Sequence, residues 1–226
     1  AALAMAMGHV ILKEYYIDKE TPYFKEYAKE FTDMPFLVRV EDINGTVQPG
    51  RFLNAKDLGR QEEGSDFQMV LIDDTTNEIV VPNGTMGERH TNPQKWNLRL
   101  ENRDTGAKID PRLSVFDQRE EVTVVKLPYF GDEEHEGVIE RAIPTITVQT
   151  ADGPVKVTTV YDLILANYGI DRGIGGEVAK AYTDDTPYTP TWQEKITGVK
   201  AEIAIATARE FADNAEKTKG RSMIIM

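Results

Sequence analysis

The chain has 226 residues, of which 40% are hydrophobic and 28% charged, enough for one sizeable core or two small ones. Its formal net charge of −12 and pI near 4.8 argue against nucleic acid and against an anionic membrane surface as direct partners, because either needs clustered Lys and Arg. No run approaches the roughly 20 apolar residues of a membrane span, and zero cysteines exclude disulfides, thiolate-held iron–sulfur clusters and a Cys nucleophile from this piece.

The N-terminal AALAMAMGHVIL imitates the apolar core of a signal peptide, but it has no positive start, and Lys13 and Glu14 follow at once. Leu3, Met7, Val10 and Ile11 keep helical spacing, which predicts a packed helix over 2–16. A helix so apolar at the very start of a chain is expected to follow an element that lies upstream. Thr21 and Pro22 open a second helix, TPYFKEYAKEFT, with Tyr23, Tyr27 and Phe31 on one side. A pair of this kind suits one face of an α/β sheet.

From Phe36 the period changes to two. FLVRVED and TVQPGRFL read as a hairpin turned at Asn44-Gly45, the strongest short hairpin signal. FQMVLID and NEIVVP form a second, joined through Asp73–Asn77; KWNLRLEN, VTVVKLP and ITVQTADGPVKVTTV, turned at Asp152-Gly153, follow. Loops are expected at 60–66, 84–94 and 131–137. At Val160 the helical period returns in VYDLILANYG, where Tyr161, Leu165 and Tyr168 share a face and Gly169 stops the helix.

A glycine-bearing loop, DRGIGGEVAKAYTDDTP, leads to the C-terminal helices. Thr189 is the expected N-cap, with Pro190 in the first turn. In the long helix Ile203, Thr207 and Phe211 fall on one face with Ala204, Ala208 and Ala212 beside them, small residues that let a helix lie close on a sheet. Lys217, Lys219 and Gly220 mark its end, and Met223–Met226 reads as a strand buried on both faces. The expected fold is α/β (α+β): helix pairs and a parallel-type strand of an α/β layer, with an antiparallel β-hairpin insertion. Its expected parts are 1–35 (helical), 36–159 (the β-rich insertion) and 160–226 (helices and buried strand of the first domain).

Candidate chemistry is sparse. His9, His90 and His135 are the only histidines; His9 reads as a core-edge side chain, and the other two sit in separate polar loops without a second ligand. Asp73–Glu78 lacks the glycine and terminal glutamate of a calcium loop, so a hairpin turn explains it better. Asp132–Glu136 reads as a solvated acidic turn. Asn44-Gly45-Thr46 and Asn83-Gly84-Thr85 match the glycosylation pattern, yet Asn-Gly is also what a tight turn demands. Gly173-Ile174-Gly175-Gly176 follows a helix rather than a strand, a poor position for a phosphate cradle, and a flexible loop is expected. No GxSxG elbow is present. No residue is assigned a catalytic or metal-ligating role, and cofactor-binding residues stay unassigned.

AALAMAMGHVILKEYYID, VTTVYDLILANYGIDRGIGGEVAK, YTPTWQEKITGV and AREFADNAEKTKGRSMII, in that order along the chain, resemble the catalytic alpha subunit of membrane-bound respiratory nitrate reductases, molybdopterin oxidoreductases of the dimethyl-sulfoxide-reductase type. The likeness covers essentially the whole chain, more loosely between about Val47 and Thr150. Such a subunit is several times longer, so the resemblance implies an internal fragment. It implies nitrate reduction to nitrite in the intact enzyme, with molybdenum bis-(molybdopterin guanine dinucleotide) and an iron–sulfur cluster. Implied partners are the rest of the alpha subunit, an iron–sulfur beta subunit and a haem-bearing membrane gamma subunit, on the cytoplasmic face of the cell membrane. The metal-ligating aspartate and the iron–sulfur ligands would precede the segment matching Ala1, and a Gly-rich turn facing the pterin would follow Met226. The isolated chain is therefore expected to hold no metal and to be inactive. The alternatives are a structural or subunit-interaction module, and a related enzyme such as a nitrite oxidoreductase or a chlorate or selenate reductase. Truncated ends are expected to expose apolar surface and favour self-association.

Overall fold

Helix α1 (Ala2–Ile11) runs directly into a π-helical stretch, Leu12–Asp18, in which Lys19 N–H donates to Glu14 C=O at 3.0 Å, five residues back. The wider turn lets the consecutive residues Tyr15 and Tyr16 both point inward, where each packs on Phe24 at ring separations of 5.5 and 5.6 Å. The first helix thus extends beyond residue 16 and changes hydrogen-bonding pattern on the way. These observations come from a computed structural model that describes residues 1–84, 99–129 and 137–223.

The chain divides into two compact units. The first comprises Ala1–Glu26, Leu127–Ala142 and Ile164–Met226; the second comprises Tyr27–Lys126 and Ile143–Leu163. In the first, α1 packs against α4 (Pro190–Thr197) and α5 (Ala201–Thr218). Met7, Val10 and Ala208 are the buried centre of that packing, with Leu3, Ile11, Tyr182, Ile205 and Phe211 around them. Helix α5 turns Ala204, Ala208, Ala212 and Ala215 inward. This corrects the sequence expectation: the small residues let α5 lie close to another helix rather than to a sheet, while Ile203 is 54% exposed. Lys219, with φ +56°, is the left-handed C-cap, one residue before the expected glycine.

In the second unit β1 (Leu37–Ile43) and β2 (Thr46–Phe52) form the expected hairpin. Ile43 pairs with Thr46, and Asn44 and Gly45 both take positive φ (+56° and +82°), as a type I′ turn requires. Strand β9 (Gly153–Thr159) pairs with the other side of β1, and the sheet order is β2-β1-β9-β8-β7, where β7 (Glu121–Pro128) belongs to this unit as far as Lys126 and β8 (Val138–Thr150) from Ile143 onward. The β8–β9 turn is centred on Ala151-Asp152, since Thr150 pairs with Gly153. Strand β8 begins well before the expected Ile146, because Glu140 and Arg141 interrupt the apolar pattern. Two short ladders, β3 (Leu71–Ile72) with β4 (Ile79–Val80) and β5 (Pro82–Asn83) with β6 (Arg99–Asn102), complete the strands among the described residues. Leu37, Leu53, Val70, Ile72, Val115 and Val157 lie in the core beneath them.

Helix α2 (Pro22–Phe31) forms as expected, but its Tyr27/Phe31 side faces outward, with Phe31 57% exposed, and Ala28 is the buried contact. Helix α3 (Val160–Asn167) buries Tyr161 and Leu165. Asp162 lies at its first turn, where its carboxylate accepts from Thr159 Oγ1 (2.9 Å), Ser114 Oγ (2.6 Å) and Val115 N (2.9 Å). Met223 is 80% exposed and lies in no strand, and 224–226 lie outside the described residues. The fold class is α+β, and the strand ladders among the described residues are antiparallel.

Candidate functional site

Among the described residues, the first unit holds a polar cavity lined by His9, Lys13, Glu14, Tyr182 and Arg209. It encloses about 460 Å³ between the π-helical stretch, the 179–182 segment and α5. His9 reaches it from α1. The ring is 3% exposed, and its Nδ1 lies 2.6 Å from the Tyr168 carbonyl, which can only accept, so Nδ1 carries the proton. Burial pushes the imidazole below its ordinary value, against the pull of the Tyr168 bond, and Arg141 and Lys13 add to the lowering. Gly8 makes the approach possible, because a Cβ there would lie 2.6 Å from the Tyr168 ring.

Paired charges line the rest. Arg209 binds Glu14 in a fork, with Nε 3.0 Å from each oxygen, and the Tyr182 hydroxyl donates to the same carboxylate at 2.9 Å. Burial alone would raise the Glu14 carboxyl, but these bonds outweigh it and hold it below the usual range. Lys13 pairs with Asp18 at 2.6 Å, and Lys180 with Asp171 at 2.6 Å. Lys19 lies 3.9 Å from the centre of the Tyr15 ring. The Tyr15 hydroxyl donates to Asp213, and burial with that bond raises its pKa. The cavity has room for a small polar molecule, with the buried His9 in its lining. Among the described residues its charged groups are matched, Lys13 with Asp18, Arg209 with Glu14 and Lys180 with Asp171.

Arg141, which sequence reasoning passed over, is the most buried charge among the described residues of this unit. Its side chain is 0% exposed and donates from Nη1 to the Glu177 carbonyl, while Nε and Nη2 have no hydrogen-bond partner. Burial pushes its pKa down to about 10 against the opposing influence of Glu177, Tyr188 and Tyr129. The glycine loop closes over this strand. A Cβ at Gly176 would lie 2.7 Å from Ala142 N, so Gly176 is a packing glycine. The expected flexible loop is therefore anchored at that point, and Ile170 forms a parallel bridge with Ala179.

The other sequence candidates among the described residues are structural. Asp73 accepts from Asp110 N (2.9 Å), Thr75 N (3.2 Å) and Thr76 Oγ1 (3.1 Å); burial opposes ionisation, but these bonds keep the carboxyl low. Asn83 lies in β5 and Gly84 has φ +84°; Thr85 is outside the described residues. So are His90, His135 and the acidic run 132–136. Among the described residues no cluster of three or more His, Cys, Asp or Glu could hold a metal, and no helix is long and apolar enough to cross a membrane.

No family model matches the chain. Known proteins do. The nitrate reductase alpha chain of Bacillus subtilis (strain 168) is 48% identical over 225 residues, covering 100% of this chain and 18% of its own length. The respiratory nitrate reductase 1 alpha chain of Escherichia coli (strain K12) is 44% identical over 239 residues, 100% of this chain and 19% of the relative. The respiratory nitrate reductase alpha chain of Bradyrhizobium sp is 43% identical over 228 residues, 99% and 22% respectively. The chain spans about a fifth of the length of these relatives.

Proposed function

Because the chain belongs to the nitrate reductase alpha-chain family, matching a segment of it from end to end, we propose that it serves as the α+β scaffold segment of a subunit that reduces nitrate to nitrite. The single supporting observation is identity of 43–48% sustained over 99–100% of the chain.

In this reading the intact subunit carries molybdenum bis-(molybdopterin guanine dinucleotide) and an iron–sulfur cluster, and works with an iron–sulfur beta subunit and a haem-bearing membrane gamma subunit on the inner face of the cell membrane. Among the described residues no group of three or more His, Cys, Asp or Glu could hold a metal, and we assign none of them a ligand role. Their contribution is packing. The α1–α4–α5 layer, the aromatic group of Tyr129, Tyr188 and Trp192, and the anchored glycine loop are the packed surfaces on which other parts of the subunit would be positioned. The isolated chain has no turnover of its own.

The test is a chimera in which these 226 residues replace the matching segment of the Bacillus subtilis alpha chain. Nitrite formation from nitrate with reduced viologen, and molybdenum content equal to that of the parent, are expected. A chimera that folds and retains molybdenum yet forms no nitrite overturns the proposal.

A further inference from the structure

Asn precedes Gly twice in the chain, at 44–45 and 83–84, and the structure treats the two differently. Asn83 lies in strand β5, its Cα in register with Arg99 of β6 and its Nδ2 3.4 Å from Glu101 Oε2. Asn44 is exposed at the tip of the β1–β2 hairpin with φ +56°, and nothing approaches within 4 Å of where a Cβ on Gly45 would sit. Besides the Ile43–Thr46 pairing, a side-chain bond restrains the tip: Gly45 N–H donates to Asp42 Oδ1 at 2.8 Å.

We infer that Asn44 is a site of spontaneous deamidation and that the Asp42 carboxylate is its brake. The reaction begins when the Gly45 backbone nitrogen loses its proton and attacks Asn44 Cγ. An N–Cγ bond forms, the Cγ–Nδ2 bond breaks and ammonia leaves, giving a five-membered succinimide. Water then opens one of the two imide C–N bonds, leaving aspartate or isoaspartate at 44. Net, one water is gained and one ammonia lost, with no change of oxidation state.

Glycine is what makes the attack feasible, since it adds no side chain beside the nucleophilic nitrogen. Asp42 opposes it twice. Its negative charge disfavours loss of the proton it accepts, and the bond holds the nitrogen away from a free search for Cγ. Opening is local, because a hairpin tip frays without the sheet behind it unfolding. Either product changes the turn: aspartate places a new negative charge two residues from Asp42, and isoaspartate lengthens the backbone inside a turn whose register depends on two residues. The modification therefore loosens Ile43 from Thr46 first and acts as an ageing mark at the β1–β2 end of the sheet.

The full chain is incubated at mildly alkaline pH beside Asp42→Ala and Asp42→Asn, with products located by peptide mass mapping and isoaspartate counted by enzymatic methyl transfer. Asn44 is expected to convert before Asn83 in all three proteins. Its rate is expected to rise several-fold in Asp42→Ala and by less in Asp42→Asn, which keeps an uncharged acceptor. Equal Asn44 rates in the three proteins, faster conversion at Asn83, or an Asn44 that stays intact in Asp42→Ala overturns the inference. Asp42 is exposed near the end of β1, so both variants keep the core intact, which amide protection at Leu37 and Val157 verifies.

Discussion

Arg141 and His9 carry the sharpest residue-scale consequences, because each places a titratable group where water is scarce. A guanidinium with two unpartnered nitrogens is held against its own desolvation cost, and the surrounding packing supplies what the hydrogen bonds do not. Arg141→Met, similar in length and apolar, is expected to leave stability within about 1 kcal/mol or to raise it, whereas Arg141→Ala opens a cavity and costs about 3 kcal/mol; urea unfolding of the two variants measures the difference. His9 behaves oppositely to a paired histidine. Its folded pKa lies below the ordinary 6.5, so the unfolded chain takes up the proton first as pH falls. The His9 contribution is thus fully present above that value and lost progressively below it, until the folded ring also titrates. The groups facing the ring are the Tyr168 carbonyl, the Tyr182 ring, Arg141 and Lys13. Melting temperature is expected to fall between about pH 7 and pH 5.5 in the parent and to stay flatter in His9→Gln.

At the scale of elements, two helices depend on single positions. Thr189 caps α4 by accepting from Trp192 N at 3.1 Å, while its hydroxyl donates to the Asp184 carbonyl at 2.7 Å; Pro190 fills the first turn without leaving a donor unsatisfied. Thr189→Ala removes both bonds from a buried site and is expected to cost about 1–2 kcal/mol, with the loss read from thermal unfolding and from Trp192 fluorescence. Helix α5 depends on the smallness of its inward stripe. Ala208 is buried between Met7 and Val10, so Ala208→Leu must push α1 away or adopt a strained rotamer. About 1–3 kcal/mol of destabilisation is expected, against no measurable change for Ala206→Leu on the exposed side of the same helix. The β1–β2 hairpin shows the reverse dependence, on backbone conformation at Asn44 and Gly45 rather than on packing.

For the whole molecule the acidic balance becomes an acid lability. Glu14, Asp57, Asp73 and Asp171 all have carboxyl pKa values below their ordinary range; for the first three, bonds outweigh burial, and for Asp171 the Lys180 bond leads. A carboxyl depressed in the folded state contributes stability that is present above its unfolded value of 4.5 or 3.8 and disappears as pH falls through the folded one. A second and larger loss of stability is therefore expected below about pH 4, distinct from the His9 step and unaffected by His9→Gln. A circular-dichroism pH titration of the two proteins separates the steps. Exposed pairs such as Lys195 with Asp185 contribute little to either, since solvent screens them.

The sequence by itself determined what local chemistry can specify. Asn44-Gly45 allows few turns, Thr189-Pro190 is a helix start, and the change of period at Phe36 and Val160 separates strands from helices. Residue order across the whole chain was also enough to identify its family. What only the tertiary structure decided is which side of each element faces inward, because that depends on a partner remote in sequence. Helix α5 has two plausible faces, and the arrival of α1 at Ala208 selects the alanine stripe over Ile203. Tyr27 and Phe31 look like a buried stripe, yet they are 46% and 57% exposed. Strand β8 hides its first half behind Glu140 and Arg141, since period-two reading treats an arginine as solvent-facing although this one is fully enclosed. The His9–Tyr168 bond joins residues 159 positions apart, and no spacing rule reaches that far. Local propensity is written residue by residue, whereas burial is a property of the folded surroundings.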